Sequence, residues 1–219
     1  TSGGLSLSTS GAATVDNVTA ANSANITGTL TVQSTGNAVS FSNSDSTLSN
    51  ALSVQAESGI NVNRNVTIQT GGLTLNADTN GDGTGDLDVA DSITVSSNGD
   101  VISITANDID LNSTGSIASG NLSITDSDNT GIGLGGTPIN GGLNISDAEL
   151  GNIAASNLTL STTGSILVDG ITSGNTSNIT GATLLSSGSN VSFSNADSTF
   201  TNSLSVQANS NITVGQNLT

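Results

Sequence analysis

The chain has 219 residues, with 17 acidic side chains against one basic one (Arg64), a net charge of −16, and no His, Cys, Met, Trp or Tyr. Without His or Cys, disulfides, zinc sites and a histidine general base are excluded. With one cation and 1% aromatics, there is almost nothing to neutralise phosphates or stack bases, so no nucleic-acid partner is expected.

Apolar–polar–apolar triplets carry the pattern along the chain. In order, one set is Leu30-Thr31-Val32, Leu52-Ser53-Val54, Leu73-Thr74-Leu75, Ile93-Thr94-Val95, Ile109-Asp110-Leu111, Leu122-Ser123-Ile124, Leu143-Asn144-Ile145, Leu158-Thr159-Leu160 and Leu204-Ser205-Val206. A weaker set falls between them: Val39-Ser40-Phe41, Ile60-Asn61-Val62, Leu87-Asp88-Val89, Ile132-Gly133-Leu134, Ile166-Leu167-Val168 and Ile212-Thr213-Val214. Alternation of period two over three to five residues predicts short strands with one buried face. Gly, Asn, Asp and Ser separate them, as turns require. No segment has helical periodicity over three turns, and no apolar run approaches the roughly 20 residues of a membrane span.

With Leu184 standing in at one degenerate position, the first set takes eight steps from Leu52 to Leu204, about 19 residues each. A longer repeat encloses this one. Val39-Ser40-Phe41-Ser42-Asn43 returns as Val191-Ser192-Phe193-Ser194-Asn195, and Leu52-Ser53-Val54-Gln55-Ala56 as Leu204-Ser205-Val206-Gln207-Ala208. Residues 1–66 match 154–218 at a period of about 152. Short strands cannot bury their faces alone, but coils stacked at about 4.8 Å can. The expected fold is all-β: a parallel β-helix (β-solenoid) with rungs of about 19–20 residues, continuous over 1–219 as a single domain. The alternative, an antiparallel sandwich, gives no reason for a short period nested in a long one. Phe41 and Phe193 occupy equivalent positions and are expected to fill the core.

With these triplets, the stretches Ser156-Asn157-Leu158-Thr159-Leu160-Ser161-Thr162-Thr163-Gly164-Ser165-Ile166-Leu167-Val168 and Gly72-Leu73-Thr74-Leu75-Asn76-Ala77 resemble filamentous haemagglutinin-like secreted bacterial adhesins and other giant repetitive surface proteins. The resemblance implies a right-handed β-helix shaft, an extracellular or cell-surface location, and a role as adhesin or surface fibre. The Asn-Pro-Asn motifs of that family's secretion domain are missing, since the one proline is Pro138.

The sharpest local motif runs from Asp78 to Asp88. Oxygen-bearing side chains alternate at Asp78, Asn80, Asp82, Thr84, Asp86 and Asp88, with Gly83 at the sixth position for a sharp turn. That pattern suits Ca²⁺, which takes six to eight oxygen ligands, and is similar to the calcium loops of thrombospondin type 3 and dockerin-like repeats. Val89 stands where a bidentate Glu would close an EF-hand loop, so Asp88 or Asp91 would have to substitute. The alternative is a solvated turn between strands. Ten of the 17 acids lie between Asp78 and Asp128, which makes Asp108/Asp110 and Asp126/Asp128 further candidate cation pairs.

The expected function is structural: a shaft or fibre-forming segment that associates with itself end to end or laterally. A calcium-dependent adhesion module is the alternative, and ice binding or glycan processing stands further off. No enzyme activity is expected, because a lone Arg64 and the absence of Trp and Tyr leave no charge stabiliser or sugar platform.

Overall fold

The computed structural model describes residues 3–219. Strands take up 47% of the chain and helix 6%, so the protein is all-β, and its strands run in parallel sheets. One sheet has 12 strands and two others have five each. The alternation in the triplets decides which face each strand buries. Leu30–Ser34 and Leu52–Ala56 both read buried, half-buried, buried along their length, and the apolar residues occupy the buried positions.

The large sheet bends into two arms. In the first arm Leu5, Leu30, Leu52, Leu73, Ile102, Leu122, Leu158, Thr183 and Leu204 lie side by side in register. In the second arm Ser46, Val66, Val95, Ile117 and Ile153 do the same. Two long strands, Ser116–Asp126 and Ile153–Thr162, pass through both arms. Gly120 marks the bend in the first of these. A Cβ there would run into the carbonyl oxygen of Gly99, so the corner closes only on a residue without a side chain.

The second sheet stacks Val15, Phe41, Val62, Val89 and Leu111, and the third stacks Ile145, Leu134, Val168, Phe193 and Val214. Phe41 and Phe193 are each 1% exposed and face the core. Between Ala56 and Leu185 almost every inward position is an aliphatic side chain packed in one continuous core. The outermost strands are less covered. Leu5 and Leu7 at one end, and Ile212 and Val214 at the other, are exposed, and a cavity of about 300 Å³ opens beside Leu7, Val15, Leu30 and Val32.

The register corrects the expected 19–20-residue repeat. Six steps, not eight, carry the first arm from Leu52 to Leu204, about 25 residues each. Ile93 to Val95, Ile109 to Leu111 and Leu143 to Ile145 belong to the second arm, the second sheet and the third sheet respectively. They read as steps of one ladder because all three walls carry the same alternation. Nor does Leu184 stand in the inward column: Thr183 pairs with Leu158 and Leu204, and Leu184 points out.

Insertions account for the uneven spacing. Residues 78–86 lengthen the step from Leu73 to Ile102. The step from Leu122 to Leu158 holds an extra strand, Leu143–Ile145, and the helical turn Asp147–Gly151. This extra strand pairs in parallel with Gly131–Gly135 after a return through residues 136–142 alone, much shorter than the usual crossover of a dozen residues or more. The helical turns Ala20–Ser23 and Ser173–Thr176 sit at matching positions of the long repeat. Among the described residues, no helix is long and apolar enough to cross a membrane.

Candidate functional site

Acidic side chains cluster at the turns, and most bind a residue one step further along the chain. Asp16 accepts from Asn43 Nδ2 at 3.1 Å and the Ser44 amide at 2.9 Å. Asp45 accepts from the amide and side chain of Asn65, both at 3.0 Å. Asp197 repeats the arrangement with Asn217, whose side chain and amide hold its carboxyl below the ordinary carboxylate range. Asp86 takes Asn107 Nδ2 at 2.9 Å, Asp88 takes Asn112 Nδ2 at 2.6 Å, and Asp147 takes the Thr172 amide at 2.9 Å and Asn175 Nδ2 at 2.8 Å. Carboxylates that accept from amides are charge-assisted partners. Here they tie each turn to the next.

The six residues expected to form a calcium loop are distributed differently from one another. Asp78 is 3% exposed and turned inward, where it accepts from the amides of Gly81 at 2.9 Å, Asp82 at 3.3 Å and Gly83 at 3.3 Å, and from Ser127 Oγ at 2.7 Å. Asp82 lies outside and takes Asn80 Nδ2 at 2.9 Å and Thr84 Oγ1 at 2.6 Å. Asp86 and Asp88 engage Asn107 and Asn112. Gly81 and Gly83 both have positive φ, which lets the turn curl over the Asp78 carboxylate. Among the described residues no three acidic side chains converge on one point.

Beneath this turn lies a second group of oxygens. Asp126 is 2% exposed; its Oδ2 accepts from the Gly131 amide at 2.9 Å and Thr162 Oγ1 at 2.7 Å, while its Oδ1 is buried without a donor. Asp128 stands within hydrogen-bonding reach of the same carboxyl. Burial raises the Asp126 pKa, and the neighbouring Asp128 adds to it. Asp128 shifts the other way: burial opposes its ionisation, but the amide and hydroxyl of Thr130 and the contact with Asp126 outweigh that and lower its pKa. Asn107 Oδ1 is also buried without a donor. It and Asp128 Oδ2 both point at Gly83, 3.6 and 3.2 Å from where a Cβ would stand. Two donor-less oxygens, a carboxylate and a cradle that only glycine leaves open fit an oxygen-seeking cation.

A third acidic group occupies the seam between the two five-stranded sheets, a groove of about 380 Å³ lined by Asp108, Asp110, Pro138, Asn144, Ser146 and Glu149. The facing strands Ile109–Leu111 and Leu143–Ile145 share no ladder there, and carboxylates take over its role. Asp108 Oδ1 accepts the Asn144 amide at 2.7 Å and the Ile109 amide at 2.9 Å, and Glu149 Oε1 accepts the Leu111 amide at 3.1 Å. Glu149 is positioned by a capping box, taking the Ser146 amide at 2.8 Å on Oε2 while Ser146 Oγ caps the Glu149 amide at 3.2 Å. Burial, reinforced by Asp86 and Glu149 and opposed by the two amides, pushes the Asp108 pKa up to about 6. Asp110 is raised as well, by burial and by Glu149, Asp88 and Asp86; Asp88 is its direct neighbour in the ladder.

Asn107 and Glu149 were not among the expected site residues. Glu149 had a sequence signal in Ser146-Asp147-Ala148-Glu149, the spacing of a capping box. Asn107 had none, because its role depends on which turn lies above it. Comparison with protein-family models, with curated proteins and with solved structures finds no match to this chain.

Proposed function

We propose that this chain is a structural segment of a cell-surface fibre or adhesin, built as a right-handed parallel β-solenoid shaft. The observation that carries the reading is the nine-strand parallel ladder from Leu5 to Leu204, whose inward columns form one continuous aliphatic core. In such a shaft each coil covers the hydrogen-bonding edge and apolar face of the one before, so stiffness follows from repetition rather than from a pocket. Nine strands at about 4.8 Å correspond to a rod of roughly 40 Å. The exposed apolar residues at Leu5, Leu7, Ile212 and Val214 support end-to-end association, because open parallel edges accept further strands. The texture shared with filamentous haemagglutinin-like adhesins agrees with an extracellular location.

Small-angle X-ray scattering tests the reading. An elongated particle whose length grows in steps of roughly 40 Å with concentration is expected. A compact particle whose dimensions stay constant over that range would refute it.

A further inference from the structure

The oxygens beneath the acidic turn are arranged as if around something positive. Asp126 is almost fully buried, yet its Oδ1 meets no donor, and a second carboxylate, Asp128, stands beside it. Asn107 Oδ1 is buried and without a donor in its turn, although Asn107 Nδ2 is engaged by Asp86. A buried oxygen without a partner costs about 1–3 kcal/mol, and more when charged, so leaving two at one corner is expensive. Gly83 leaves the space beside Asp128 Oδ2 and Asn107 Oδ1 open, where any side chain would intrude. Arg64, the chain's one basic residue, is committed elsewhere, donating to the carbonyls of Asn43 and Asn63.

We propose that this corner is a divalent-cation site, with Asp126 Oδ1, the Asp128 carboxylate and Asn107 Oδ1 as protein ligands and water completing the shell. The all-oxygen set selects a hard cation, and an irregular shell with few protein ligands suits Ca²⁺ better than Mg²⁺, which demands near-ideal octahedral geometry. This differs from a site within residues 78–88. Asp78 does not ligate the ion; it folds the turn over it through the amides of Gly81, Asp82 and Gly83 and the hydroxyl of Ser127. Two carboxylates and one amide oxygen place the affinity in the weak class, with Kd on the order of 10⁻⁴ to 10⁻³ M, as in extracellular calcium modules. Binding would fasten three successive steps of the chain together: the 78–86 insertion, the turn at Asn107 and the turn at Asp126 to Asp128. The site is independent of whether the protein forms fibres.

Calorimetric titration of the intact chain with CaCl₂, after removal of metal by chelator, tests the proposal. The expected result is one saturable site per chain and a higher melting point in calcium, followed by circular dichroism. Asp128→Asn should weaken binding about tenfold, and Asn107→Asp, which adds a third carboxylate, should tighten it about tenfold. No binding by the unmodified chain at millimolar calcium would overturn the proposal. So would unchanged affinity in both variants. Loss of binding in Asp82→Asn with Asp128→Asn intact would also overturn it, by moving the ion into the outer turn.

Discussion

Asp108→Asn is expected to make the protein more stable at neutral pH, although it removes an acid that accepts two backbone amides. The Asp108 carboxyl titrates at about 6 in the folded protein against 3.8 for an unperturbed aspartate, chiefly because burial disfavours its charge. The folded state therefore holds this proton over a pH range where the unfolded chain has lost it. Below pH 4 both states are protonated and the group is neutral in effect. As pH rises from about 4 to 6, stability falls, and above 6 the full penalty applies. A shift of that size corresponds to at most about 3 kcal/mol, and solvent reaching this half-exposed side chain reduces it to about 1–2 kcal/mol. Asn keeps a carbonyl oxygen to accept the Asn144 and Ile109 amides, and its amide group replaces a charge that Asp86 and Glu149 oppose. Urea denaturation of both proteins by circular dichroism, at about pH 4 and about pH 7, isolates the effect. The variant should gain about 1–2 kcal/mol at the higher pH and nothing at the lower. Taking the difference between proteins at each pH cancels the titration of the other acids. A loss of stability at pH 7, or an equal change at both pH values, would refute the assignment of the penalty to Asp108.

Two further outcomes concern the core and its corners. Phe41→Ala empties a site in the middle of the second sheet that is 1% exposed, and should cost about 3–5 kcal/mol in the same denaturation assay; a cost below 1 kcal/mol would mean that the stacked core repacks freely. Gly120→Ala forces a methyl group against the backbone at Gly99, and should lower stability by about 1–3 kcal/mol with circular dichroism of the folded state unchanged; a neutral result would show that the bend between the arms is not tightly packed.

The strands themselves were legible in the sequence. Every apolar–polar–apolar triplet named from the chain became a strand, or part of one, with its apolar residues inward, as in Leu52–Ala56 and Leu204–Ala208. The wall to which each strand belongs was not legible. Ile109-Asp110-Leu111 and Leu122-Ser123-Ile124 look alike, yet one stacks on Leu87–Val89 and the other on Ile102–Ala106. That ambiguity shortened the apparent period from about 25 residues to about 19. The acids tell the same story. Their concentration between Asp78 and Asp128 is plain in the sequence, but their partners follow from register. Asp88 finds Asn112 and Asp86 finds Asn107 because insertions and steps of unequal length happen to bring those turns together.

Sequence alone therefore determined the strand content, the inward faces, and the poverty of cations and aromatics that narrows the chemistry open to this protein. Those properties are local: a side chain's polarity and its parity along a strand are decided within a few residues. Tertiary structure decided the number of walls, the seam patched by Asp108 and Glu149, and the corner where Asn107 meets Asp126 and Asp128. These depend on residues 20 or more positions apart, and only the stacking of one turn on another brings such residues into contact.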